Sequence, residues 1–175
     1  RQIAALPGVN HVENVRFTAI PYRGDTAAVI AIEMDGFLVR SQNAIEGADS
    51  RTVYGRLTGG EGVLVSRNFA RRWGSGVGGR LTLESPTGAL ERPILGFLDD
   101  YRSEKGTIFM DRALYKKYWG DDAVDFIDVD LNPGVDPLAM KQEVERLTAG
   151  SFHAFVYTNA EFKRWISSLV DQFFT

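Results

Sequence analysis

The chain has 175 residues, of which 44% are apolar, 11% aromatic and 25% charged, a composition that supports a core and excludes wholesale disorder. A formal net charge of -3 gives no broad basic field, which speaks against nucleic acid as a partner. The lack of Cys excludes disulfides, thiol catalysis and zinc-thiolate sites together.

No run of 18 apolar residues occurs, so this stretch does not itself form a membrane-spanning helix, and its start carries no signal-peptide pattern. It begins at Arg1 rather than Met, which suggests a piece of a longer polypeptide.

The opening RQIAALPGVNHVENV reads as the end of a helix broken at Pro7-Gly8. HVENVRFTAI then alternates as a half-buried strand does, with Val15, Phe17 and Ala19 on one face and Asn14, Arg16 and Thr18 on the other. Pro21 and Gly24 mark a turn into DTAAVIAIEMD, whose nearly continuous apolar run predicts a strand covered on both faces. Residues 36–61 hold several Gly and polar residues and are expected to cross between lobes.

GVLVS predicts a short buried strand, and RNFARRW a helical turn or two. RLTLESPTGALERPILGF predicts two strands around Pro86-Thr87-Gly88. GTIFMD is a further strand, followed by the short helix RALYKKYWG, closed by Gly120. VDFIDVDLN alternates, with Ile127, Val129 and Leu131 expected inward. DPLAMKQEVERLTAG is a helix capped by Asp136, with Pro137 at its first position and Gly150 near its end.

FHAFVYT predicts a last strand before the terminal stretch NAEFKRWISSLVDQFFT. There Asn159 is the expected N-cap, and Phe162, Trp165, Ile166, Leu169, Val170 and Phe173 form one helical stripe.

These elements give an α+β fold class with two lobes. Residues 124–157 have the strand–helix–strand length of a right-handed parallel crossover. The expected arrangement is an α+β lobe with a βαβ unit, formed from both chain ends (1–35 and 111–175), and a small β-rich lobe inserted at 36–110.

Motif by motif, the chain offers little chemistry. GSGVGG contains Gly74, Gly76 and Gly79 at the spacing of a dinucleotide fingerprint. That fingerprint needs a strand before it and a helix after it, and here the order is reversed, so a glycine loop is the better reading. Ser66 ends a buried strand but lacks the flanking Gly residues of a nucleophile elbow, and neither His11 nor His153 shares a local motif with it. Capping the next helix is the plainer role for Ser66.

WGDDAVDFIDVD concentrates Asp121, Asp122, Asp125, Asp128 and Asp130. Its spacing does not match a calcium-binding loop, and a solvated strand face explains it. Arg71, Arg72, Lys116 and Lys117 read as solvated basic pairs, while Trp73, Tyr115, Tyr118 and Trp119 read as core or as a seal between lobes. No residue is assigned a catalytic, cofactor-binding or metal-binding role, and no cofactor is expected in this domain.

Taken in order, several segments resemble one family. They are ALPGV, GGEGVLVSRNFARRWGSGVGGRLTLESPTG, ILGFLDDYRSEKGTIFMDRALYKKYWGDD, VDLNPGVDP and TNAEFKRWISSLVDQFF. Together they look like the extracytoplasmic domain of FtsX-like ABC transporter permeases, the MacB-like periplasmic core. The resemblance covers roughly residues 4–175 and rests on the ordered set rather than on any single element.

It implies a domain on the extracytoplasmic side of the cell inner membrane, between the first two of four transmembrane helices. The terminal helix, about 25 Å long over seventeen residues, would act as a stalk. Phe173-Phe174 would lie near the membrane surface, and the chain would stop just before a span.

The implied partners are a separate cytoplasmic ATP-binding subunit, a second permease subunit forming a dimer, and a periplasmic or outer-membrane protein. The implied role is transmission of ATPase-driven motion. Two other readings stay open on the residues alone: a free-standing extracytoplasmic peptide- or lipid-binding module, and a hydrolase using Ser66 or the acidic segment.

Overall fold

The structure, a computed structural model, describes residues 2–40, 45, 50–100, 103–150 and 154–173. After a 3-10 turn at Ile3–Ala5 come β1 (Val9–Tyr22), β2 (Asp25–Ile32), α1 (Met34–Arg40) and α2 (Ser50–Thr58). There follow β3 (Val63–Ser66), α3 (Arg67–Trp73), β4 (Arg80–Leu83), β5 (Leu90–Leu98), β6 (Thr107–Asp111) and α4 (Arg112–Trp119). The last elements are β7 (Phe126–Leu131), α5 (Pro137–Thr148) and α6 (Asn159–Phe173).

The strands form one seven-stranded mixed sheet in the order β4-β5-β3-β6-β2-β1-β7. β1 and β2 are an antiparallel hairpin registered from Val15 opposite Ile32 to Tyr22 opposite Asp25. β6 pairs parallel with β2 and antiparallel with β3, which itself runs parallel to β5. β4 closes that edge against β5 around the expected turn.

Two compact units divide the chain: Arg1–Val12 with Val129–Thr175, and Glu13–Asp128. The lobes expected from the sequence have their boundaries at 35/36 and 110/111 instead. β6 hydrogen-bonds to both β2 and β3, so the stretch expected to be an inserted lobe shares one sheet with the first strands.

The core of unit 13–128 follows from the period-two geometry of strands. Ala27, Val29 and Ala31 of β2, Val63 and Val65 of β3, and Ile108 and Met110 of β6 pack with Phe69 of α3 and with Leu114 and Tyr115 of α4. The alternate residues Ile30, Ile32, Leu64 and Phe109 pack instead with Met34, Val53 and Leu57 from α1 and α2. Helices therefore cover both faces of the central strands, which is why β2 and β3 read as continuous apolar runs. The aromatic residues expected in the core belong there: Tyr115 is buried, and Trp73, Tyr118 and Trp119 pack against the first cluster.

In the unit formed from the chain ends, Gly8 holds φ +95, and a Cβ there would meet Val135 at 3.0 Å. Its carbonyl accepts from the Asn132 amide at 2.9 Å. The expected helix before Pro7 is only the 3-10 turn. α5 begins as expected, with the Asp136 carboxylate accepting from the Leu138 and Ala139 amides, and it buries Met140, Val144 and Thr148.

Three expectations need correction. Pro21 lies inside β1 opposite Thr26, and the turn is the two residues Arg23-Gly24. Residues 154–158 form no strand, and Phe155 is 87% exposed, because high β-propensity does not make a strand without a ladder partner. Ile127 does not point inward but is 43% exposed, since β7 is an edge strand, and Val129 and Leu131 are only half-buried.

The cap of α6 also differs from expectation. The Thr158 hydroxyl accepts from the Glu161 amide at 3.2 Å, and the Glu161 carboxylate accepts from the Thr158 amide at 2.8 Å. This reciprocal capping box makes Thr158 the N-cap rather than Asn159. The burial of Ile166, Leu169, Val170 and Phe173, and the expectations for Phe152, His153 and Phe174, lie outside the described residues.

Candidate functional site

Ser66, the glycine segment and most of the acidic segment are tied into the fold. Ser66 is fully buried, and its hydroxyl oxygen accepts from the Phe69 amide at 3.3 Å and the Thr107 amide at 2.9 Å. It thus caps α3 and joins that helix to β6, and its hydrogen-bond partners among the described residues include no histidine. Nearby, the Thr107 hydroxyl donates to the buried Asp100 carboxylate at 2.6 Å.

The glycine segment lies between α3 and β4. Gly74 is the left-handed C-cap of α3. The Gly78 amide donates to the Ile94 carbonyl, the Gly79 amide to the Gly76 carbonyl, and the Ile94 amide to the Gly79 carbonyl. Amides that would cradle a phosphate are spent on the protein's own backbone.

The acidic segment is an ion-pair network. Arg16 on β1 bonds Asp121 at 2.7 Å and Asp125 at 2.8 Å. The Asp121 carboxyl is lowered to about 2, mostly by the Ala123 backbone amide and then by Arg16. The Tyr115 hydroxyl donates to the same carboxylate at 3.0 Å, and burial with that anion raises the phenol's pKa. Arg112, only 6% exposed, donates to the Asp122 and Ala123 carbonyls and to the Asp122 carboxylate. Lys116 meets Asp122 at 2.7 Å and holds its pKa down. Asp130 accepts from the Asn10 side chain at 2.7 Å. Among the described residues no group of three or more His, Cys, Asp or Glu is arranged to hold a metal.

A cleft of about 360 Å³ is lined by Glu33, Asp35, Thr58, Asp111, Arg112, Ala113 and Lys116. Asp111 caps α4 by accepting from the Ala113 amide at 2.8 Å and also accepts from the Met34 amide at 3.3 Å; burial raises its pKa. Glu33 accepts from the Asn14 side chain at 3.2 Å. Among the described residues that line the cleft none is aromatic, unlike the apolar pocket that a free-standing peptide- or lipid-binding module calls for.

Exposed apolar surface is concentrated elsewhere. Among the described residues it comprises Leu138, Phe155, Tyr157, Phe162 and Trp165 in the unit formed from the chain ends, and Phe17, Val77, Val124, Phe126 and Ile127 in unit 13–128. Sequence periodicity reveals Phe162 and Trp165, but not Phe155 and Tyr157, which alternate as a buried strand would. No helix among the described residues is long and apolar enough to cross a membrane.

No protein-family profile matches the chain. All of it aligns with the uncharacterized ABC transporter permease protein Rv0987 of Mycobacterium tuberculosis, at 27% identity over 181 residues. The chain spans about a fifth of that relative's length (21%). The fold is similar to the periplasmic region of MacB from Actinobacillus actinomycetemcomitans, with a TM-score of 0.64 and 10% identity over 95% of this chain and 79% of that one. It is also similar to the extracellular domain of the ABC-type transporter YknZ from Gram-positive bacteria, with a TM-score of 0.65 and 14% identity over 90% of this chain and 86% of that one. The chain is thus similar in sequence to an ABC transporter permease and in fold to the extracytoplasmic domains of MacB and YknZ, as the ordered segments led one to expect.

Proposed function

We propose that this domain is a non-catalytic coupling element of an ABC transporter permease in the cytoplasmic membrane. It passes ATPase-driven movement to a substrate or partner on the extracytoplasmic side. The observation that carries this reading is the alignment of the whole chain with a permease, on a fold resembling two transporter ectodomains.

The physical requirement for such a role is stiffness, which a sheet packed on both faces supplies. Hydrolysis belongs to a separate cytoplasmic ATP-binding subunit, and a second permease subunit completes a dimer. The exposed apolar surfaces are the contacts through which a periplasmic or outer-membrane partner is engaged. The side chains already described are committed to caps, ion pairs and core, which suits a part that transmits force.

The test uses the full-length permease with its ATPase subunit, reconstituted in membranes and carrying spin labels on exposed positions of each unit. The expected result is a distance distribution that changes between ATP-bound and nucleotide-free states. An unchanged distribution during ATP turnover overturns the coupling role, as does substrate conversion by the isolated chain. The parent reading frame is a cheaper check: apolar stretches of about 20 residues should flank this region. Polar sequence on both sides defeats the proposal.

A further inference from the structure

Arg23 is the one non-glycine residue with positive φ, 48°, among the described residues. It is the first residue of the two-residue turn that joins β1 to β2 and is followed by Gly24 at φ +80. Hairpin turns of this kind favour Asn or Gly at that position, because a Cβ is strained there. An exposed arginine is therefore a poor choice for stability alone.

Its surroundings give it a different use. The Arg23 guanidinium lies 5.2 Å from the Tyr22 ring centre and donates to the Trp73 carbonyl at 3.0 Å. The Arg72 guanidinium lies 5.2 Å from the Trp73 ring centre, and the Tyr22 and Trp73 rings meet edge-on at 5.0 Å. Two arginines are thus stacked on one pair of touching rings. Asp25, two residues after Arg23, holds Arg72 at 2.7 Å and Lys105 at 2.6 Å.

We propose that this hairpin tip, with the last turn of α3 and Lys105, docks a carboxylate-bearing segment of a partner protein. A guanidinium stacked on a ring is held in plane while N–H edges remain to meet a carboxylate in bidentate fashion, and the stacking lowers the entropy lost on binding. Asp25 already shows how a carboxylate fits between these cations.

The charge count favours a protein over an anionic bilayer. Arg23, Arg72 and Lys105 are three cations, interleaved with Asp25 and Glu104, whereas adsorption to acidic lipid uses clusters of four to eight Lys and Arg. The strain at Arg23 adds independent support, since backbone outliers that reduce stability persist where function needs them. This surface does not depend on the coupling role and stands or falls separately from it.

The experiment measures the anisotropy of a fluorescent hexaglutamate peptide titrated with the chain at low salt, with phosphatidylglycerol vesicles as a parallel arm. The expected result is saturable peptide binding that weakens as salt rises. Lys105→Gln weakens it about tenfold with little change in Tm, because an exposed ion pair contributes little to stability. Arg23→Asn weakens it about tenfold with a Tm equal to or above the parent's. Should Arg23→Asn unfold the chain, Lys105→Gln alone decides the matter. Absence of peptide binding, or variants that bind like the parent, overturns the proposal. Vesicle binding with the same variant dependence and no peptide binding overturns the choice of partner.

Discussion

At the scale of single residues, the tightest constraints are places where backbone meets backbone. Gly106 holds φ +89, and a Cβ added there would lie 2.4 Å from the Phe69 Cα. Neither atom belongs to a flexible side chain, so nothing can yield cheaply. Gly106→Ala is expected to destabilise by about 3 kcal/mol, combining left-handed strain with the clash, and denaturant unfolding measures it. Ser66 is the polar counterpart. Removing its hydroxyl leaves the Thr107 and Phe69 amides without that acceptor at a buried site, so Ser66→Ala is expected to cost about 2 kcal/mol. The parent is expected to stay unlabelled by a serine-directed phosphonate probe, and labelling at Ser66 would make it a nucleophile rather than a cap. The sequence pointed to that capping role through position alone, a Ser between an apolar strand and a helix. It gave no hint of the Thr107 bond, which joins residues far apart in the chain.

Among the elements, α6 shows how local charge fixes a helix start. Glu161 accepts from the Thr158 amide and from Lys141 of α5 at 2.9 Å, and these two partners, the amide first, lower its pKa to about 2. Because the folded pKa lies below the unfolded value near 4, the ionised form stabilises the fold above about pH 4. That contribution disappears as pH falls through 2. Glu161→Gln is therefore expected to speed amide hydrogen exchange in the first turn of α6 at pH 7, while parent and variant converge near pH 2. A variant that exchanges like the parent at neutral pH removes this account. Asp121 and Asp25, both lowered to about 2, act in the same direction in the other unit, through the Ala123 amide with Arg16 and through Lys105 respectively. Asp111 acts oppositely: burial raises its pKa, so its ionisation costs stability, and that cost is relieved as acid protonates it. The sequence reads Asn159 as the cap, and only the geometry gives that place to Thr158.

For the whole molecule, the two-sided core makes one residue report on both structure and coupling. Phe109 is 2% exposed and lies in the cluster formed by α1, α2 and the central strands. Phe109→Ala is expected to cost about 4 kcal/mol of folding free energy, read by denaturant unfolding. In the full-length permease, transport per ATP hydrolysed should fall even where the variant remains folded, because a softened sheet absorbs motion that a stiff one passes on. Undiminished transport per ATP in a measurably softened domain would count against the coupling proposal.

Much of this protein was already determined by its sequence. Apolar runs, glycine turns and caps act within a few residues, so β2, β3, β6, the β4–β5 hairpin, α3, α4 and α5 could all be read directly, and the ordered set pointed to the permease family. Tertiary structure alone decided what depends on distant partners. It decided that β3 to β5 share a sheet with β2, that β7 is an edge, that residues 154–158 form no strand, and that Arg16 gathers the acidic segment. Local propensity is a property of neighbours along the chain. Strand pairing, burial and ion-pair choice are set by neighbours in space, which one-dimensional patterns do not encode.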